Sequence, residues 1–175
     1  IENIPNHHQA NLYRLIGDCF AKLGDNEGAK NAYIKAVELD PYSAKAYIGL
    51  GTIGLVKQSN DIAVIHFQKA VSLSPDDEMA NLGLGLAFQG LDELGEANRW
   101  VVKSLEKNPE NTAALYTLVR IAYDRNKFED ARQALSTYMT RHPHDYNMLF
   151  TLCGILFKLE DYAEVVAETQ KIINV

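Results

Sequence analysis

Residues 10–43 read ANLYRLIGDCFAKLGDNEGAKNAYIKAVELDPYS, and residues 44–77 read AKAYIGLGTIGLVKQSNDIAVIHFQKAVSLSPDD. Laid over each other, the two stretches place Gly17 on Gly51, Ala29 on Ala63, Tyr33 on Phe67 and Pro41 on Pro75, a shift of 34 residues. The same shift carries the prolines on to Pro109 and Pro143, and the alanines to Ala97 and Ala131, with Val165 last in that column. Ile16, Leu50, Leu84, Leu118 and Leu152 form another column, and Gly85 continues the glycines before Val119 and Cys153 replace them. Tyr33 and Phe67 are followed in register by Val101, Leu135 and Thr169. Self-similarity at a period between 20 and 50 residues is the mark of a stacked repeat, in which each unit buries its apolar face only against its neighbours.

Each unit reads as two helices. In residues 10–43, Leu12, Tyr13, Ile16, Cys19, Phe20 and Leu23 recur at three- and four-residue spacing, which predicts one buried helical face. Gly24-Asp25-Asn26-Glu27-Gly28 interrupts that pattern with turn residues. A second helix is expected over Ala29, Tyr33, Ala36, Val37 and Leu39, stopped at Asp40 because the residue before a proline is pushed out of helical geometry. The small residues have a packing role, since glycine and alanine at a crossing let two helices approach to about 8–10 Å between axes. The bulky column of Tyr33 and Phe67 is expected to fill the space between successive units. The units expected are 10–43, 44–77, 78–111, 112–145 and a shortened 146–175, with 1–9 as a lead segment.

Composition narrows the function. The chain of 175 residues is 47% apolar and 23% charged, with a net charge of −6 spread over both signs. A nucleic-acid partner calls for a basic stripe, and no run of Lys and Arg exists, so nucleic acid is not an expected partner. No stretch approaches the roughly 20 apolar residues of a membrane-spanning helix, so membrane insertion is not expected either. Ile1-Glu2-Asn3-Ile4-Pro5 does not read as a signal peptide. Cys19 and Cys153 lie far apart in sequence and would lie far apart in a solenoid, so no disulfide is expected and a cytoplasmic location is the working assumption.

No catalytic set emerges. Gly49-Leu50-Gly51-Thr52-Ile53-Gly54 matches the dinucleotide-loop pattern, but that loop must open a helix so that free N–H groups meet the phosphates, and here the match sits inside one. The histidine pairs His7-His8 and His142/His144 have no further Cys or carboxylate at ligand spacing, so no metal site is expected and they read as exposed histidines. The cysteines read as packing residues rather than nucleophiles. No enzyme activity and no cofactor are expected.

In length, small-residue columns, second-helix aromatic and closing proline, residues 10–175 resemble the tetratricopeptide repeat. The departures are Gly54 in the column of Phe20 and Phe88, Asn81 in that of Tyr13 and Tyr47, and Val119 in that of glycine. The resemblance implies an all-α, right-handed α-solenoid of about five helix-turn-helix repeats, its concave face lined by the first helix of each unit and holding a partner's peptide or helix. Carried onto this chain, the groove positions include Arg14 in the first unit and Lys45, Ile48, Thr52 and Leu55 in the second. Leu82, Leu86 and Gln89 follow in the third, Tyr116, Arg120 and Tyr123 in the fourth, and Phe150 and Phe157 in the last. Most of these are apolar, Gly49 and Gly83 would leave bare backbone for a ligand, and Arg14, Lys45 and Arg120 would meet acidic groups. The branch that clamps chaperone C-terminal carboxylates uses a basic groove. The matching positions Arg14, Asp18, Gly49, Met79 and Gly83 contain a single cation, so that activity is not expected.

The expected function is therefore a non-catalytic scaffold for protein–protein contacts that binds an apolar or amphipathic partner segment. Two other readings stand beside it. One is a recruiting arm of a larger polypeptide, such as one with a glycosyltransferase domain. The other is a structural protein that self-assembles through uncapped ends, where Val165, Val166, Ile172 and Ile173 lack a following unit.

Overall fold

The structure is a computed structural model that describes residues 5–173, with the side chains described as far as Lys171. Among the described residues ten helices follow one another: α1 (Asn6–Lys22), α2 (Asn26–Leu39), α3 (Ala44–Val56), α4 (Asn60–Leu73), α5 (Glu78–Gly90), α6 (Leu94–Lys107), α7 (Thr112–Arg125), α8 (Glu129–Arg141), α9 (Tyr146–Lys158) and α10 (Tyr162–Ile173). They form five antiparallel hairpins stacked in chain order, an all-α solenoid. Residues 6–9, which the sequence puts in a lead segment, are the first turn of α1. Among the described residues no helix is long and apolar enough to cross a membrane.

Chain chemistry sets both kinds of turn. Within each hairpin one residue adopts the left-handed conformation: Gly24 (φ 78°), Gln58 (56°), Asp92 (62°), Asn126 (51°) and Glu160 (60°), each 34 residues after the last. The next N–H reaches back five residues, from Asp25 to Phe20, Ser59 to Gly54, Glu93 to Phe88, Lys127 to Ala122 and Asp161 to Leu156, at 2.8–3.0 Å. That bond closes the helix end by satisfying a carbonyl with no partner inside the helix. Between hairpins, Asp40, Ser74, Asn108 and His142 each precede a proline and leave the helical region, with φ from −125° to −141°. The carboxylates or amide of Asp77, Asn111 and Asp145 then accept the N–H of Ala80, Ala114 and Met148, capping α5, α7 and α9.

Packing follows the columns. Tyr33 is wedged between Gly17 of its own hairpin and Gly49 of the next, where an added Cβ would fall 2.6 Å and 2.5 Å from the ring. Phe67 is held likewise between Gly51 and Gly83. Gly54 faces Ala63, so all three glycines of the dinucleotide-like match are packing residues within α3. Asn81, buried where its column carries aromatics, donates to the carbonyls of Pro75 and Asp77 at 3.1 and 2.8 Å and ties α5 to the turn before it. The core is consequently a row of clusters along the stack, around Tyr33 and Leu50, around Phe67 and Leu84, and from Val101 to Leu156.

The row is not uniform. Hairpins α1–α2, α3–α4 and α5–α6 pack closely along their lengths, whereas α7–α8 and α9–α10 make fewer close backbone approaches. The change coincides with Val119 and Cys153 replacing glycine at the crossing, where a side chain stands between the two backbones. Successive first helices approach each other most closely from α1 to α5 and less closely from α5 onward.

Candidate binding groove

The residues expected to line the groove divide into three patches along the first helices. Nearest the start of the chain, Arg14, Lys45, Ile48 and Thr52 share a depression of about 310 Å³ with Asp18, Tyr33, Asp77 and Met79. Arg14 donates to Asp18 at 2.5 Å, and the Tyr33 hydroxyl donates to the other oxygen of that carboxylate at 2.8 Å. Burial, reinforced by this hydrogen bond to a carboxylate, pushes the Tyr33 phenol far above its ordinary range, so it remains a neutral donor. Thr52 bonds back to the Ile48 carbonyl at 2.8 Å. Lys45 is exposed and has no ion pair among the described residues. Asp77, which is not among the groove positions expected from the sequence, caps α5 and also reaches this depression.

A second depression, about 520 Å³, lies between α3, α5 and α7 and gathers Leu55, Leu86, Gln89 and Arg120 with Gly90 and Asp124. The Arg120 guanidinium donates to the Gln89 side-chain oxygen across the two helices.

The third patch is aromatic. Tyr116, Tyr123, Phe150 and Phe157 are 49%, 46%, 83% and 61% exposed. Tyr123 and Phe157 each stand seven residues after their partner, two helical turns, so each pair shares a face at a spacing of about 10 Å. Phe157 packs edge-on against Tyr162 at 5.2 Å, and Tyr123 against Phe128 at 5.3 Å. Tyr162, 52% exposed, extends the patch from a second helix, where the register of first-helix positions gives no sign of it.

Several expectations are corrected. Leu82 is 5% exposed and belongs to the core with Leu115 and Leu118 of the next hairpin. Gly83 is covered by Phe67, and Gly49, although it lines the first depression, has its Cβ side filled by the Tyr33 ring. Arg14 and Arg120 are already engaged by Asp18 and Gln89. Cys19 is exposed, while Cys153 is half-buried, and burial raises its thiol. His142 is half-buried and stacked on Tyr138 at 4.5 Å. Among the described residues no three His, Cys, Asp or Glu side chains converge as a metal site would need.

The five hairpins share one period and are joined at prolines, and in the first two a ring is wedged between glycines. Models of the tetratricopeptide repeat match residues 10–43 and 92–142. The chain is a tetratricopeptide-repeat protein. Among curated relatives, the RNA polymerase-associated protein CTR9 of Caenorhabditis elegans is 26% identical across 94% of this chain and 18% of its own length. The human protein O-mannosyl-transferase TMTC3 is 26% identical across 73% of this chain and 14% of its own. The chain thus spans less than a fifth of either relative. YrrB, a solved tetratricopeptide-repeat protein described as having an unusual peptide-binding site, superposes with a TM-score of 0.69 at 20% identity, covering 93% of this chain and 84% of that one. At that identity the likeness supports a shared fold.

Proposed function

We propose that the tetratricopeptide units beginning at residues 10, 44, 78, 112 and 146 form a non-catalytic scaffold that holds an apolar or amphipathic segment of a partner protein on the concave face. The observation that carries this reading is the set of exposed rings Tyr116, Tyr123, Phe150 and Phe157 on α7 and α9. Aromatic side chains contribute large contact area with little rotamer entropy to lose, and contiguous exposed apolar surface marks a contact. A helix with apolar side chains every three or four residues suits two such rows, and the depressions beside Lys45 and Leu86 would receive its flanks. The peptide-binding site named for YrrB agrees with this use of the fold. Free Cys19 and Cys153 suit a reducing, cytoplasmic setting.

The test uses a labelled amphipathic helical peptide, with leucine on one face and glutamate on the other, against a scrambled peptide of equal composition. Tyr116→Ala and Phe150→Ala are expected to weaken binding about tenfold or more each, about 1.4 kcal/mol, with helicity unchanged. Equal binding of the scrambled peptide, or unchanged affinity in both variants, would refute the groove.

A second reading, a recruiting arm of a larger transferase, draws on the likeness to TMTC3. In that case Phe150→Ala slows transfer to a groove-bound protein substrate and leaves transfer to a small acceptor unaltered.

A further inference from the structure

Between the second helices α6 and α8 lies an open notch of about 270 Å³, walled by Val102, Leu105 and Ala134, with the carboxylates of Glu106 and Asp130 on its lining. The preceding joint shows what closes such a space. There α6 carries Arg99, Trp100 and Lys103, and the Trp100 ring packs against the cluster around Phe67 and Leu84. Its indole N–H donates to Glu96 at 3.2 Å, and Arg99 pairs with the same carboxylate at 3.3 Å. The cations of Arg99 and Lys103 lie 4.9 and 5.0 Å from the ring centre. One period on, α8 has Gln133, Ala134 and Thr137 in these three columns, and all three line the open notch. The ring and both cations are missing where the space is.

The carboxylates say which group fits. The column of Glu96 continues with Asp130 and Glu164. Glu96 pairs with Arg99 and Glu164 with Arg132, each at 3.3 Å. Asp130 instead accepts the side-chain amide of Asn98 at 2.6 Å, and Asn98 stands in the column of Arg132. Among the described residues neither Asp130 nor Glu106 has an ion pair, and no Lys or Arg lines the notch. Lys107, next to Glu106 in sequence, is paired with Asp76. On its other side Asp130 borders a depression shared with Arg125, Lys127 and Lys158, none of which pairs with it. An apolar wall edged by two uncompensated carboxylates suits a side chain that is apolar along its body and cationic at its end.

We infer that this notch receives an arginine side chain from a basic segment of a partner protein. The flat guanidinium takes the place in this joint that the Trp100 ring has in the preceding one, and its fork of N–H donors matches the Asp130 carboxylate. Lysine supplies only a compact, strongly hydrated charge, and tryptophan supplies the plane without the charge. The notch shares no residue with the three patches of the groove, so it is a second surface and does not rest on the groove reading.

Titration of the isotope-labelled full chain with a short peptide of one arginine between neutral residues, followed by amide chemical shifts, tests the inference. Saturable shifts are expected in α6 near Val102 and Glu106 and in α8 from Asp130 to Thr137. Replacing the arginine by lysine is expected to weaken binding about threefold or more. Citrulline, which keeps the shape and loses the charge, is expected to give no saturable shift there. Asp130→Asn keeps an acceptor for Asn98 and is expected to weaken binding of the arginine peptide about threefold or more. Ala134→Trp restores the ring of its column and is expected to abolish binding with helicity unchanged; should that variant lose helicity, Asp130→Asn alone decides. Shifts that fail to saturate or fall elsewhere overturn the inference, as does equal binding of the lysine or citrulline peptide, or unchanged affinity in Asp130→Asn or in a folded Ala134→Trp chain. Phe150→Ala is expected to leave the arginine peptide's affinity unaltered, so that failure of this surface and failure of the groove are read separately.

Discussion

At the scale of single residues, the wedge of a ring between two glycines explains more of this protein than any polar contact. Phe67 is 1% exposed, with Gly51 on one side and Gly83 on the other. Neither glycine is needed for backbone freedom, since both lie inside helices, where glycine is less favourable than alanine by about 0.8–1 kcal/mol. Their value is the missing Cβ. Gly83→Ala would place a methyl 2.2 Å from the nearest atom of the Phe67 ring. The ring is clamped from the far side and cannot retreat, so the substitution is expected to destabilise the chain by about 1–3 kcal/mol despite its better helix propensity. Urea unfolding followed by circular dichroism checks this, with a neutral or stabilising result as the contrary outcome. The columns of small residues were legible in the sequence, but the ring covering Gly83 belongs to the preceding hairpin, 16 residues upstream. A glycine seen without its neighbour reads as an opening, which is why Gly49 and Gly83 were expected to admit a ligand.

At the scale of elements, the five hairpin turns have one geometry and five different residues to make it. The left-handed position is held by Gly24, Gln58, Asp92, Asn126 and Glu160. Glycine adopts it freely and Asn and Asp tolerate it, but for Gln and Glu the contact of Cβ with the carbonyl costs about 1–2 kcal/mol. Against this stands the greater freedom that glycine has in the unfolded chain. Gln58→Gly and Glu160→Gly are therefore each expected to stabilise by about 0.5–1 kcal/mol, and Gly24→Ala to destabilise by a similar amount. The readout is the denaturant midpoint at constant slope, and a drop in midpoint for both glycine variants would contradict the strain account. The turn residues around Gly24 marked one hairpin in the sequence. The other four turns share its backbone through the helix-end hydrogen bond, which no common residue type announces.

At the scale of the whole molecule, the stack tightens toward its first three hairpins and loosens in its last two, where Val119 and Cys153 interrupt the glycine column. In a repeat array stability is a sum over units and nearest-neighbour joints, so the looser end opens first. Amide hydrogen exchange is expected to be fastest, among helix interiors, in α9 and α10 and slowest in α3–α6; uniform protection along the stack would count against this. The rings of the groove on α7 and α9 stay in solvent, whereas Leu82 is taken out of it by the core it shares with Leu115 and Leu118. The fold could be read from the sequence alone, because a 34-residue period with apolar positions three and four apart can bury its apolar faces only by stacking helical hairpins. Which groove positions reach solvent was decided only in the tertiary structure. Exposure there depends on which side chains of the neighbouring hairpin pack over each position, as Leu115 and Leu118 do beside Leu82, and those belong to a different part of the chain.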